Sequence, residues 1–340
     1  MKSDFVADLQ AEQSVTSFFL IASKEVRTGQ KSGKPYLQLE LRDRTGAIDA
    51  RMFQNIENAT EMARLDEVVK VKGRVDVWQG KKQLVIEQIR PATAEEYELG
   101  DFLPHTKRNV EELFAELQGI VAGTANPWIR RLLESVLGDP AIAERLKRAP
   151  AGKKMHHAYI GGLLEHIVSL CGLCCRVAPH YPEIDGDLLL SGAILHDIGK
   201  LDELFYERSF GYTTEGQLLG HIVIGLQLLE KKMDAIEGFP ADLQLLIQHM
   251  ILSHHGREEF GSPKLPSFPE ALMLHYLDDL DSKLATMRES VEAEQGETEW
   301  TAKNWSLQRP LLRMDRFRQR NAAEQELPPA SVPNDDPPVD

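Results

Sequence analysis

The sequence predicts a two-part chain, a small N-terminal β-barrel followed by an all-α bundle. Three observations carry that expectation. Residues 15–92 hold five short apolar runs of strand length, and three of the four connections between them contain glycine. Residues 109–320 instead repeat their apolar positions with a period near 3.6, and proline and glycine mark the breaks. Ten of the 11 histidines fall between positions 156 and 275, inside the helical part, which points to a site built within it.

Taken in order, residues 1–14 read as an N-terminal extension. Ser17-Phe18-Phe19-Leu20-Ile21-Ala22 is an apolar first strand, and Tyr36-Leu37-Gln38-Leu39-Glu40-Leu41 alternates with period two. Ile48-Asp49-Ala50-Arg51-Met52-Phe53 follows the turn Asp43-Arg44-Thr45-Gly46. Residues 68–75 and 83–86 supply the last two strands, and Lys81-Lys82 beside Gly80 reads as a solvated hairpin turn able to touch phosphate. Five strands over 15–92, with one short helical stretch near 55–63, fit a five-stranded Greek-key barrel of the OB type. Residues 93–108 read as a polar linker. The helical domain follows over 109–320, as in Val110-Glu111-Glu112-Leu113-Phe114-Ala115-Glu116-Leu117, with a core at 155–290. Residues 321–340 read as a disordered tail, since 327–340 hold five of the 18 prolines and three aspartates.

Composition narrows the functional classes. A hydrophobic fraction of 42% and a charged fraction of 27% describe a chain that can bury sizeable cores. No run of 18 apolar residues occurs, so no membrane span is expected. Met1-Lys2-Ser3-Asp4-Phe5 has no apolar stretch of the kind a secretory leader needs, which favours a cytoplasmic setting. The three cysteines, Cys171, Cys174 and Cys175, are expected on one helical face as buried free thiols. The net charge of −14 argues against wholesale coating of nucleic acid. Residues 14–92 nevertheless carry 14 Lys/Arg against 10 Asp/Glu, so a mildly basic module precedes an acidic one. That asymmetry hints that the first module handles a polyanion.

His166, in Gly161-Gly162-Leu163-Leu164-Glu165-His166-Ile167, would by itself read as a satisfied core histidine. The pair His196-Asp197 changes that weighting. Neighbouring helical residues diverge by about 100°, so the pair makes a poor shared core patch and a good frame for ions lying between their directions. Asp197 can bridge two metals while His196 caps one. His221, one or both of His254 and His255, and the acidic run Asp278-Asp279-Asp281 match the same demand. Imidazole and carboxylate are the ligands that borderline and hard divalent ions prefer.

The order His, His-Asp, His, His, Asp resembles the HD-domain phosphohydrolase superfamily over about residues 155–290. Longer motifs are similar to the YhaM-type 3′–5′ exoribonucleases: Gly-Gly-Leu-Leu-Glu-His at 161–166, Gly-Ala-Ile-Leu-His-Asp-Ile-Gly-Lys at 192–200, Tyr-Thr-Thr-Glu-Gly-Gln-Leu-Leu-Gly-His at 212–221 and His-Met-Ile-Leu-Ser-His-His-Gly at 249–256. Gly-Ser-Pro at 261–263 and Leu-His-Tyr-Leu-Asp-Asp-Leu-Asp at 274–281 fit too, and that family also pairs an OB module with an HD domain. The resemblance implies His166, His196, Asp197, His221, His254 and Asp278 as metal ligands. It leaves His255 as a further ligand or a substrate-facing group. Asp278 is preferred because the family ligand sits two before a leucine, here Leu280, with Asp281 as the fallback. Some members of the superfamily add a glutamate one turn before the first histidine; Gly162 stands there and offers no donor.

The implied activity is metal-dependent 3′–5′ hydrolysis of single-stranded RNA to nucleoside 5′-monophosphates, with single-stranded DNA also a candidate. Two ions would stabilise charge on the reacting phosphoryl group. Manganese is the family's usual activator, and the ligand set also accepts iron, cobalt or magnesium. Asp197, Lys200 and His255 are the catalytic candidates. Lys200 is either a phosphate-binding point charge or a helix-terminal lysine after Gly199. Glu215 and Gln217 gate the pocket on resemblance alone. In the barrel, Lys34, Tyr36, Arg51, Phe53, Lys72, Arg74 and Trp78 are candidates to grip the strand, with Tyr36 and Phe53 equally readable as barrel core. A nucleotide or cyclic-dinucleotide phosphodiesterase and a non-catalytic single-strand-binding protein are the rivals. A homo-oligomer is compatible with the sequence and not required by it.

Overall fold

A computed structural model describes residues 2–29, 33–78, 80–153, 157–206, 210–258, 261–294 and 296–326. The chain forms two compact units, residues 1–281 and 282–340.

The first unit begins with the barrel. Its strands are β1 (Ser14–Thr28), β2 (Pro35–Asp43), β3 (Gly46–Met52), β4 (Val68–Trp78) and β5 (Lys81–Pro91), closed in the order β1-β2-β3-β5-β4. All pairs are antiparallel except β3–β5. Alternation decides the faces. Leu37, Leu39, Leu41, Ala50, Val71, Val75 and Leu84 are fully buried inside, and their neighbours along each strand point outward. One short helix, α1 (Ile56–Met62), lies between β3 and β4.

Two segments depart from the sequence reading. Residues 1–14 are not an appended extension from Lys2 onward. Leu9 is fully buried in the barrel core. The Lys2 ammonium lies 2.6 Å from the Phe18 carbonyl, 3.0 Å from Asp43 and 3.8 Å from the Phe19 ring centroid. Asp43 also accepts from the Val6 and Thr45 backbone N–H groups at 2.8 and 2.9 Å. A buried lysine is stable only beside such a carboxylate, and that partner is far away in sequence. Residues 93–108 are not a free linker either. Phe102 and Leu103 are buried against Phe18, Leu20 and Val68, with Ile160 and Phe210 packed on them. The two apolar residues were hidden in a polar stretch; they join the barrel to the helices. Lys81 and Lys82 belong to β5 and not to a bare turn, and the Lys82 ammonium bonds the Leu9 carbonyl at 2.5 Å.

The helical part comprises α2 (Val110–Ala122), α3 (Pro127–Leu137), α4 (Pro140–Leu146), α5 (Gly162–Val177), α6 (Gly186–Leu195), α7 (Lys200–Glu203), α8 (Thr214–Asp234), α9 (Ala241–Ser253) and α10 (Pro269–Ala293). Asn109, Asn126, Asp139, Asp185 and Thr213 cap α2, α3, α4, α6 and α8, each accepting from the first-turn N–H groups. A two-stranded ribbon, β6 (Leu204–Phe205) with β7 (Gly211–Tyr212), interrupts the helices. Gly162–His180 is long and apolar enough by composition to cross a membrane. It is the central core helix here, with Leu163, Leu164, Ile167 and Leu170 fully buried. Cys171 and Cys174 are buried free thiols on that helix, and burial pushes Cys174 up to about 12. Cys175 is exposed, because it lies about 100° round from its neighbour, so the cysteines do not share one face.

In the second unit the helical reading fails over 296–313, where Trp300 bridges Leu312 and Asn304 bridges Arg309. Helix α11 (Met314–Glu326) runs beyond position 320. The expected tail at 327–340 lies outside the described residues.

Candidate metal centre and nucleic-acid interface

Four helices and one turn converge on the histidines. α5 carries His166, the turn between α6 and α7 carries His196 and Asp197, α8 carries His221, the end of α9 carries His254 and His255, and α10 carries Asp278. Gly199 makes the approach of α8 feasible. A Cβ there would fall 1.9 Å from the His221 carbonyl oxygen. Gly220, at φ 72° and ψ 158°, breaks α8 just before His221 and frees the His221 N–H, which donates to Glu203 at 3.0 Å.

Asp197 sits between two histidine groups. Its Oδ2 is 3.3 Å from His196 Nε2, and its Oδ1 is 3.4 Å from His221 Nε2 and 3.8 Å from His254 Nε2. On the first side, His166 Nε2 lies 3.4 Å from His196 Nε2 and 3.2 Å from Asp278 Oδ1. On the second, the His255 ring centroid is 4.2 Å from that of His254 and 5.2 Å from that of His221. His166, His196 and Asp197 form one donor group with ligand atoms within 4.8 Å of one another, and His221, His254 and His255 form another. Lys200 Nζ reaches Asp197 Oδ2 at 2.7 Å.

The backs of the rings are held. His166 Nδ1 faces Asp281 at 2.9 Å, and Asp281 is itself held by the Ser169 hydroxyl at 2.6 Å. His221 Nδ1 faces Glu203 at 3.1 Å. His196 and His254 donate from Nδ1 to the Ala193 and Ile251 carbonyls at 3.1 and 2.7 Å. A carbonyl can only accept, so a neutral ring there turns its Nε2 lone pair to the centre. Within this cluster, three buried atoms of the described residues have no hydrogen-bond partner: Asp197 Oδ1, His221 Nε2 and His254 Nε2. Leaving such a group unmet costs about 1–3 kcal/mol. The three face one another, and divalent cations would satisfy all of them at once. The donor set therefore fits the metal that the sequence implies.

The charges agree. Burial and the surrounding imidazoles hold His254 well below the ordinary histidine range, which keeps its ring neutral. Burial opposes ionisation of Asp197, but Lys200 and His196 outweigh it and hold the carboxyl well below its usual range. Asp278 is held low in the same way by His166 and His196. His166 is raised to about 10, since its bonds to Asp278 and Asp281 overcome its burial.

The structure brings together His166, His196, Asp197, Lys200, His221, His254, His255 and Asp278. Of the neighbouring acids, Asp281 turns to the far side of the His166 ring. Sequence reasoning missed Glu203 and His275, whose Nδ1 is 2.9 Å from the His254 carbonyl. Glu203 carried one faint signal, an acid three residues after Lys200 on the same short helix. Glu215 and Gln217 are exposed at the start of α8.

The barrel candidates divide. Tyr36 and Phe53 meet at 5.6 Å between ring centroids, and the Arg51 guanidinium lies 5.9 Å from the Tyr36 ring. Phe53 is 54% exposed, so it is surface and not core. Register places Arg51 beside Val85 and Val85 beside Arg74 on the outer face, although Arg74 is engaged by Glu12. Lys34 and Lys72 are exposed, and Trp78 is exposed at the β4–β5 turn.

Residues 21–92 match the model of an OB-fold nucleic acid binding domain, and residues 163–283 match that of the HD domain. The 3′–5′ exoribonuclease YhaM of Bacillus velezensis is 37% identical over 281 residues, 82% of this chain and 88% of that protein. The chain belongs to the YhaM family of 3′–5′ exoribonucleases. The YhaM proteins of Bacillus pumilus, 36% identical over 77% of this chain and 82% of theirs, and of Bacillus subtilis, 35% identical over 81% and 87%, agree. The YhaM-family assignment makes a divalent metal the group that suits the cluster on Asp197, and a nucleic acid the partner that suits the barrel.

Proposed function

We propose that this chain is a metal-dependent 3′–5′ exoribonuclease that degrades single-stranded RNA, and single-stranded DNA as well, to nucleoside 5′-monophosphates. One observation carries the chemistry: the two oxygens of Asp197 face opposite histidine groups, at 3.3 Å on one side and 3.4 Å on the other. We assign two ions, manganese first. His166, His196 and Asp278 would hold one with Asp197 Oδ2; His221, His254 and His255 would hold the other with Asp197 Oδ1. Bound there, they would supply Lewis acidity to the phosphoryl oxygens and to the attacking water.

The protein's own groups do the rest. Asp197 keeps its charge in a buried setting, so it can serve both sides. The Lys200 ammonium, held next to Asp197, offers a point charge to the scissile phosphate. His255, like His221, is a part-exposed ring of the cluster; it completes the second group or gives a proton to the departing 3′-oxygen. The Tyr36–Phe53–Arg51 surface supplies stacking and charge for a strand, which a mononucleotide phosphodiesterase would not need. Duplex would have to unstack at about 1.4 kcal/mol per step, which favours an unpaired end.

A 5′-labelled 20-mer tests this reading. With manganese it should yield a descending ladder, blocked by a 3′-phosphate, a 3′ hairpin or excess chelator. Cleavage of a circular strand, or full activity after dialysis in chelator, refutes it.

A further inference from the structure

We propose that the cleft between the barrel and the β6–β7 ribbon is a base-stacking subsite that seats the strand just before the Asp197 cluster. It deepens the nuclease reading and rests on it. The cleft, about 490 Å³, is lined by Arg42 and Asp66 of the barrel and by Lys153, Phe205, Tyr212 and Gln217 of the helical part.

Phe205 is built as a platform. Its ring lies across Gly211, where an added Cβ would fall 2.3 Å from Cζ and 2.5 Å from Cε1. That contact fixes one side of the ring while 43% of the residue stays exposed. Tyr212 is 41% exposed, and the Lys153 ammonium lies 5.9 Å from its ring centroid. Two exposed rings on a two-residue ribbon bury little apolar surface, so folding does not explain them. Stacked bases would.

Continuity points to the same occupant. Arg42 lies on β2, six residues from Tyr36 on the same outward-facing row, roughly 20 Å along the strand. The row therefore runs from the Tyr36–Phe53 pair to the cleft, with Glu40 beside Arg42 at 4.0 Å. At the other end, β6 follows α7 without a break, so Phe205 is two residues from Glu203, which holds His221. Charge selects the side of the ribbon. A second cleft, bordered by Phe205 and Thr213, holds Asp66, Glu67 and Asp202 against Arg145 and Arg148. Arg145 is already paired with Asp202 there at 2.6 Å. A polyanion is better received between Arg42 and Lys153.

The test uses the full chain in an Asp197→Asn background, which separates binding from turnover. Affinity is measured by fluorescence anisotropy for a 5′-labelled single-stranded 20-mer and for the same oligomer lacking its last three 3′ bases. Phe205→Ala should weaken binding of the intact oligomer about tenfold, the loss of one stacked base, and leave the abasic one within about twofold. Phe205→Trp should restore the difference. Equal weakening of both oligomers, or no weakening of either, overturns the subsite. Wild-type protein that binds with this base dependence yet yields no ladder would instead overturn the nuclease reading and leave the subsite intact.

Discussion

Glu203 offers the sharpest test of how the metal centre is held. Its Oε1 accepts twice from one residue, from the His221 N–H at 3.0 Å and from His221 Nδ1 at 3.1 Å. The first bond serves the break in α8 at Gly220, and the second sets the angle of the ring. Removing the carboxylate frees the ring to rotate its Nε2 away from Asp197 Oδ1. Partners of this kind, behind a metal-binding histidine, are typically worth 10–100-fold in metal affinity or activity, about 1.4–2.7 kcal/mol. Glu203→Ala should fall near the upper end, because both bonds go and a backbone donor is left unmet. Glu203→Gln keeps an acceptor oxygen but loses the charge, so about tenfold is expected. The assay is activity on a 5′-labelled 20-mer across a manganese titration, with direct calorimetry of metal binding to the same proteins. Wild-type metal affinity in Glu203→Ala would refute the argument. So would an equal loss in Gln and Ala variants accompanied by unfolding.

Other outcomes follow from the same geometry. Asp197→Asn should lower kcat by well over tenfold while strand affinity stays near wild type; retention of a tenth of the activity would deny it the bridging place, since tenfold is only about 1.4 kcal/mol of barrier. Asp43→Ala should destabilise the barrel by about 3–5 kcal/mol in urea unfolding, because it strands the buried Lys2 ammonium; a loss below about 1 kcal/mol would mean that Lys2 swings out to water. The metal-free protein should be most stable between about pH 5 and 6.5. Asp197, Asp278, Asp281 and Glu203 are held below their usual range, so their contribution is present above about pH 4.5 and lost on acidification. His166 is raised to about 10, so its contribution is complete below about pH 6.5 and fades as pH rises through 10. Urea midpoints in chelator from pH 3 to 10 would read both limbs, and a flat profile would sink the assignment of those charges.

The barrel was legible because each strand announces its own face. Leu37, Leu39 and Leu41 alternate with Tyr36, Gln38 and Glu40, and that local rule needs no knowledge of the fold. His196-Asp197 was legible for the opposite reason, since the pair violates a helical core pattern inside an apolar run. What stayed hidden depends on distant partners. Lys2 and Asp43 are an ordinary pair of surface charges until the fold buries them together. Phe102 and Leu103 form a seam only because Phe18 and Leu20 point outward from β1 to meet them. Phe53 was ambiguous because its place one residue beyond β3 frees it from the alternation that buries Met52.

The segment from His196 to Tyr212 concentrates the consequences. It contains the dyad, the Lys200 charge, the Glu203 brace and, directly after, the ribbon with its two exposed rings. The bond from Glu203 to His221 ties the middle of this segment to α8, and Gly199 lets that helix lie against it. Phe205 therefore lies two residues along the backbone from the acceptor that aims His221. Strand binding and metal geometry should then be coupled. The base-dependent effect of Phe205→Ala ought to shrink when Glu203 is replaced by Ala, since the ribbon loses its anchor at that end. If the two substitutions act independently, with effects that multiply on both oligomer affinity and manganese affinity, the ribbon is a passive shelf and the centre is braced by the helices alone.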